Sequence, residues 1–322
     1  MAFAARSMTG FEVIDLSSWF NHTDEEFVVR QVREACSHMG FFLIANHRFD
    51  ESLIERMSNK CRAFFDLADS TKRRYPAQGP IVGGFEYIAF EKENLSATLG
   101  YSNPPDRKEV MDFGPGFNGV QWPSEPVGLK QTWHEYFHEM EILCRALRSI
   151  LARAAGLDDW YFEDKFQSHL SSIRAVNYPA LDSPPLPGQL RAGAHTDYGF
   201  LTVLLTEDRP GGLEVQTTSG DWLTPPSVPG TFIVNLGDCL ARWTNNLWSS
   251  TPHRVVNPPR NQVDGTRRQS IAFFHNPAAQ AVIDTLPTFR NQGDKELYTP
   301  VTYGDYAMIR QGQASGNRSL TS

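Results

Sequence analysis

The feature that most constrains this 322-residue chain is a change of texture near Ser172. Before it, apolar residues recur at helical spacing. After it, short β-rich runs are separated by Pro, Gly, Asn and Asp: Ile173–Tyr178, Phe200–Leu205, Leu213–Gln216, Phe232–Leu236 and Ser270–Phe274. Closely spaced short strands with turn residues between them predict a sandwich, jelly roll or barrel. Upstream, Thr23-Asp24-Glu25-Glu26 has the capping-box pattern, with Thr23 as N-cap. Val28, Val32, Ala35, Cys36 and Met39 follow at helical spacing, and Gly40 offers the stop. Phe41–Ala45 suits a buried strand. A second helix is expected from about Asp50, burying Ile54, Met57, Cys61, Phe64 and Phe65. A third is expected over 128–154, with Trp133, Tyr136, Phe137, Met140, Leu143, Cys144, Leu147 and Leu151 as its apolar stripe.

No repeat and no clear linker interrupts the chain, so the helices are expected to pack on the β core as one unit. The expected divisions are a mixed helical region at 1–115, a β domain with its supporting helix at 116–310, and a flexible polar tail at 311–322. With 40% apolar and 12% aromatic residues, the core is well supplied. Thirty basic against 37 acidic residues give a net charge of −7, which excludes a nucleic-acid footprint. No Lys/Arg cluster suits anionic lipid, and no apolar stretch approaches a membrane span. The start, Met1-Ala2-Phe3-Ala4-Ala5-Arg6, lacks the pattern of a signal peptide. Cys36, Cys61, Cys144 and Cys239 lie far apart without a CxxC pair, as free thiols of a reducing compartment do. The expectation is a soluble, cytoplasmic protein that handles a small molecule. Oligomeric state is not legible.

His195-Thr196-Asp197 enters an apolar β run. Alternate strand residues share a face, so His195 and Asp197 can reach one ion while Thr196 points away. His253, 56 positions after Asp197, supplies a third ligand. Two imidazoles and one carboxylate on one side of a metal leave the opposite positions open, the pattern of oxygen-activating iron(II) enzymes, because O2 and a co-substrate must bind together. A lone His-x-Asp is more often a core or surface histidine beside a turn aspartate. The next element changes that balance. Arg268 and Ser270 have equal parity at the start of an apolar strand, and a guanidinium fork with a hydroxyl makes a carboxylate clamp. A strand-edge arginine in solvent is the plainer reading of Arg268 alone.

These segments resemble the 2-oxoglutarate/iron(II)-dependent dioxygenases of the isopenicillin N synthase-like group. The likeness runs through Gly193–Phe200, Gly211–Val215, Asn235–Asp238, Ser250–Val255 and Arg268–Phe274. Upstream it includes Ile14-Asp15-Leu16, Gly40-Phe41-Phe42, Asn46-His47, Phe64-Phe65 and Asp106-Arg107-Lys108-Glu109. It covers about Phe11 to Arg310. It implies a mainly β fold with flanking helices: a double-stranded β-helix, or jelly roll, with an N-terminal α/β cap. It places Fe(II) on His195, Asp197 and His253. It assigns the distal carboxylate of 2-oxoglutarate to Arg268, Ser270 and Tyr178, the last through Asn177-Tyr178-Pro179, with Val176 where the family has asparagine. O2 is the third participant. Hydroxylation is the default outcome, with desaturation or ring formation also within reach, and specialised metabolism is the family's richest setting. Related halogenases lack the carboxylate that Asp197 supplies. Arg48 after His47, and Asn246 after Asn245, stand where glycine is usual, as turn changes.

By strand parity Phe274 shares the inward face of Arg268 and Ser270; Tyr198 and Phe200 follow Asp197; Arg174 shares parity with Tyr178 and could meet a substrate carboxylate. Core packing, or an ion pair for Arg174, is the alternative for each. Trp243 and Trp248 suit either a pocket rim or the core. Two other readings of the site stand beside the main one: an Fe(II) oxidase of the same family that does not use 2-oxoglutarate, and a non-catalytic jelly-roll binding protein. A third competes from elsewhere. His134-Glu135-Tyr136-Phe137-His138 is a literal HExxH, the zinc-hydrolase signature, but its histidines lie off the apolar stripe, on a solvated face with Glu141, Arg145 and Arg148.

Overall fold

A computed structural model of the chain describes residues 10–76, 84–114, 121–180, 183–209, 211–259, 265–290 and 295–314. The first part runs β1 (Val13–Asp15), α1 (Ser17–Phe20), α2 (Glu25–His38), β2 (Phe41–Ala45), α3 (Glu51–Phe65), α4 (Asp69–Lys72), β3 (Gly84–Ile88), β4 (Glu109–Gly114) and α5 (Leu129–Ala154). The β-rich part follows with β5 (Ser172–Tyr178), β6 (Ala192–His195), β7 (Leu201–Thr206), β8 (Leu213–Gln216), β9 (Trp222–Leu223), β10 (Phe232–Leu236), α6 (Asp238–Trp243), β11 (His253–Val255) and β12 (Arg268–His275). The chain then adds β13 (Val282–Ile283), α7 (Pro287–Arg290), β14 (Val301–Thr302) and α8 (Tyr303–Ala314).

Two sheets form the jelly-roll core. The larger has the order β1-β2-β10-β7-β12-β5-β4-β3, and the smaller β6-β11-β8-β9. Strands from the first 115 residues thus extend both edges of the larger sheet. Its outward residues, among them Ile173, Ala175, Ile271, Phe273, Val203 and Val234, pack with the buried stripes of α2, α3 and α5 in one cluster. Phe273 meets Phe137 of α5 edge-on at 5.1 Å. Each large side chain fully buried there contributes roughly 1.5–3 kcal/mol. The alternate residues of the same strands face the smaller sheet and line a cavity between the two.

The helical stripes agree with the sequence expectations, with one shift. Asp24, not Thr23, caps α2: its carboxylate accepts from the Phe27 N–H at 3.1 Å. A carboxylate at this end also suits the helix dipole. Asp50 caps α3 in the same way. Gly40 turns the chain at φ +68°, and a Cβ there would collide with the Ser249 carbonyl. Arg48 and Asn246 adopt φ of 59° and 63°, the left-handed turns that glycine makes without cost. Arg48 offsets that cost by stacking on Phe20 at 5.0 Å and donating to the Phe20 carbonyl.

Trp243 and Trp248 are core residues, 1% and 2% exposed. All four cysteines are buried and unpaired. The first residues of the expected tail, 311–314, are helical, because α8 runs through Ala314; residues 315–322 lie outside the described residues. No described helix is long and apolar enough to cross a membrane.

Candidate active site

His195 ends β6, His253 opens β11, and antiparallel pairing sets these two residues directly opposite each other. Asp197 lies just past the end of β6, in the loop rather than in the strand, yet on the same side as His195. One ligand atom from each of the three lies within 4.8 Å of the others, and among the described residues this is the one such group of His, Cys, Asp or Glu. Asp197 Oδ1 stands 3.9 Å from His195 Nε2 and 3.7 Å from His253 Nε2. These are separations of donors that share one ion, since two ligands each about 2.1 Å from a metal stand about 3–4 Å apart.

Each of the three candidate ligands is held from behind. His195 Nδ1 lies 2.8 Å from the Gly193 carbonyl and His253 Nδ1 3.1 Å from the Thr251 carbonyl. Donation to a carbonyl puts the proton on Nδ1 and leaves the Nε2 lone pair for a metal. Asp197 Oδ2 accepts from Thr202 Oγ1 at 2.6 Å and Asn235 Nδ2 at 2.7 Å, which leaves Oδ1 facing the imidazoles. Burial, reinforced by the neighbouring His253, holds His195 well below the usual histidine range. It is therefore neutral and ready to ligate at physiological pH. For Asp197, burial pushes the other way, but the two histidines and its hydrogen bonds outweigh it and hold the carboxylate ionised. Thr202 and Asn235 escaped the sequence reading, although both have inward parity on predicted strands. Replacing Asn235 by alanine is expected to weaken iron affinity ~10–100-fold, as loss of such supporting bonds does. A chelator-competition titration checks this; an unchanged affinity would contradict the role given to Asn235.

Arg268, Ser270 and Tyr178 also converge on the cavity. Arg268 pairs in register with Tyr178 and is 3% exposed. Its Nη2 donates to Thr206 Oγ1 and its Nε to the Glu207 carbonyl at 3.3 Å. These are neutral acceptors, and among the described residues no carboxylate forms an ion pair with Arg268. A buried guanidinium without an anion is costly, and a bound carboxylate removes that cost. Arg174 is the opposite case. Its Nε and Nη2 donate to Asp112 Oδ2 at 2.9 and 2.7 Å, and its Nη1 to Glu93 Oε1 at 3.1 Å.

Tyr198 and Phe274 line the cavity beside Arg174, whose guanidinium is 5.8 Å from the Phe274 ring. Phe200, expected there too, is a core residue instead. It is fully buried and packs on Phe162, Phe166 and Trp243 at 5.0–5.8 Å. Nearness to Asp197 in sequence does not fix its direction, because the chain is in a loop until Leu201. His134 and His138 are exposed on α5, and among the described residues no third ligand joins them on the HExxH segment.

Asp238 joins the Asp197 loop to the C-terminal helix. Its backbone N–H donates to the Asp197 carbonyl at 2.8 Å. A Cβ at the preceding Gly237 would strike the Gly199 carbonyl, so glycine permits this approach. The Asp238 carboxylate accepts from Ser250 and Tyr306, both at 2.7 Å, and pairs with Arg310 at 3.0 Å. Arg310 also donates to Thr196 Oγ1, between the two ligands, at 3.0 Å. Thus anchored, α8 supplies Tyr303, Ala307, Gln311 and Ala314 to the wall of a cavity of about 360 Å³.

The fold and this site define a class. Residues 170–277 match the family model of the 2OG-Fe(II) oxygenase superfamily, and residues 11–135 match that of the non-haem dioxygenase in morphine synthesis N-terminal region. The chain is 30% identical over 302 residues to a homoarginine-6-hydroxylase of Glycine max, covering 87% of this chain and 86% of that one. It is 32% identical over 295 residues to validamycin A dioxygenase of Streptomyces hygroscopicus subsp. limoneus, covering 85% and 80%. A full-length Neurospora crassa protein, solved in complex with alpha-KG and thymine, superposes with a TM-score of 0.84 at 28% identity, covering 95% of this chain and 98% of that one. The chain belongs to the 2OG-Fe(II) oxygenase superfamily, and it is an enzyme of the Fe(II)- and 2-oxoglutarate-dependent class.

Proposed function

We propose that His195, Asp197 and His253 hold the Fe(II), that Arg268, Ser270 and Tyr178 hold the distal carboxylate of 2-oxoglutarate, and that Arg174, Tyr198 and Phe274 border the substrate. The observation that carries the reading is the buried Arg268, which forms no ion pair with a carboxylate among the described residues, in the same cavity as the three-residue cluster. The iron, when bound, supplies oxygen activation coupled to decarboxylation of the 2-oxo acid. The protein's share is positional. Thr202 and Asn235 fix the carboxylate ligand, the Gly193 and Thr251 carbonyls fix the imidazoles, and α8 shields the cavity from water. The product is a hydroxylated small metabolite by default, with desaturation or ring closure open to the same site. The setting is specialised metabolism in the cytoplasm. Relatives named for homoarginine and validamycin A support a small polar substrate.

An anaerobic titration tests the reading. Fe(II) followed by 2-oxoglutarate is expected to raise a weak visible band, and air with a substrate is expected to yield one succinate per oxidised product. Iron binding with no response to 2-oxoglutarate points instead to an Fe(II) oxidase that does not use it.

A further inference from the structure

Asp106, Arg107, Lys108 and Glu109 are four consecutive charged residues, and all four are buried, between 1% and 7% exposed. Charged side chains are almost never buried without partners, so each marks a place where the fold is fastened. Glu109 opens β4 and accepts from Lys72 Nζ at 2.6 Å, from Tyr87 and from Asn177 Nδ2 at 2.8 Å. Arg107 donates to the Ser183 carbonyl at 3.2 Å. Asp106 reaches in another direction, toward β6 and the His195 end of the cavity.

Asp106 Oδ1 accepts the Gly193 N–H at 2.9 Å. Its Oδ2 accepts the Leu95 N–H at 3.2 Å and lies 3.2 Å from Lys108 Nζ, which compensates the buried charge. Leu95 begins a 3-10 turn, Leu95–Leu99. That turn lies so close to β6 that a Cβ on Gly193 would come within 2.8 Å of the Ser96 backbone nitrogen and Cβ. Glycine is what lets the turn and the Asp106 carboxylate close on the strand together.

The strand they close on is irregular. β6 is an edge strand of the smaller sheet, paired with β11 alone. His195 stands opposite His253 and Ala192 opposite Val255. Two residues of β6, Gly193 and Ala194, therefore face the single residue Arg254. An extra residue in one strand is a β-bulge, which interrupts the ladder and re-aims the side chains beside it. Here the side chain beside it is His195. Gly193 has two attachments at this point: its N–H is held by Asp106, and its carbonyl faces His195 Nδ1 at 2.8 Å.

We propose that Asp106 is a positioning residue for the iron site: it pins the β6 bulge at Gly193 and so fixes the direction from which His195 offers Nε2 to the metal. It acts through Gly193, with no hydrogen bond of its own to His195. A carboxylate can do this where a strand neighbour cannot, because its two oxygens accept N–H groups from two segments, Gly193 of β6 and Leu95 of the turn, that share no ladder.

This inference rests on the assignment of the metal to His195, Asp197 and His253, and one set of titrations separates the two. Co(II), a substitute for Fe(II) whose visible bands report the geometry of its ligands, is titrated into the apoprotein, and melting is recorded without metal. Asp106→Ala is expected to weaken Co(II) binding about tenfold, the low end of what loss of a supporting bond costs, and to alter the band at saturating metal. Asp106→Asn keeps one acceptor oxygen for the two N–H groups and should fall between. Glu109→Gln removes a buried charge of the same segment whose bonds go to Lys72, Tyr87 and Asn177 rather than to β6. It should melt lower than the wild type yet keep the wild-type affinity and band. Unchanged affinity and band in Asp106→Ala overturn the inference, and so does an equal change in Glu109→Gln, which makes the effect one of general loosening. If Asp106→Ala gives no cooperative melt, the same two outcomes in Asp106→Asn decide. No Co(II) binding by the wild type, or binding that survives His195→Ala unaltered, overturns the metal assignment and takes this inference with it.

Discussion

Replacing Asp197 by alanine is expected to abolish iron binding, with affinity lost by more than the ~10–100-fold that removal of a supporting bond costs. The substitution removes one of three ligands and the one negative charge among them. It also strands Thr202 and Asn235, which both donate to Asp197 Oδ2. A ligand that binds only the native state raises stability by about 2.7 kcal/mol at a hundred times its Kd. Wild-type protein should accordingly melt several degrees higher with excess Mn(II), a redox-stable substitute for iron. The variant should show no metal-dependent shift. A retained shift places the metal elsewhere.

The second large effect is expected at Arg268. Truncating one partner of a buried, hydrogen-bonded charge pair costs about 2–5 kcal/mol, so Arg268→Ala should weaken 2-oxoglutarate binding roughly 30-fold to several thousandfold. Iron affinity should be unchanged, because Arg268 touches none of the three ligands. Arg268→Lys should fall between, since an ammonium keeps the charge but loses the planar fork. Calorimetric titrations of metal and 2-oxoglutarate in each variant provide the check. Equal loss of both contradicts the clamp.

What the sequence disclosed about this site follows from how local each signal is. His195 and Asp197 are two positions apart, and Arg268 and Ser270 likewise, so residue type and strand parity suffice to pair them. The helices were legible for the same reason: the stripes on α3 and α5 are periodic over many residues. Partners distant in sequence were not legible. Asn235 meets Asp197 across 38 positions, and Arg174 meets Asp112 and Glu93 across 62 and 81. Nothing local to Arg174 tells a satisfied guanidinium from an open one, so its expected carboxylate could not be assigned to protein or substrate. Phe200 fails for a different reason: it was placed at the site by its nearness to Asp197 in sequence, and nearness does not fix direction where the backbone between β6 and β7 is loop.

The seating of α8 also decides how the enzyme can be handled. Its last described residue, Ala314, already belongs to the cavity wall. A purification handle fused shortly after that point starts at the edge of the reaction chamber, where it can obstruct entry or contribute stray histidines to the iron. Kinetic comparisons between preparations with and without such a handle will otherwise confuse the behaviour of the enzyme with that of its label.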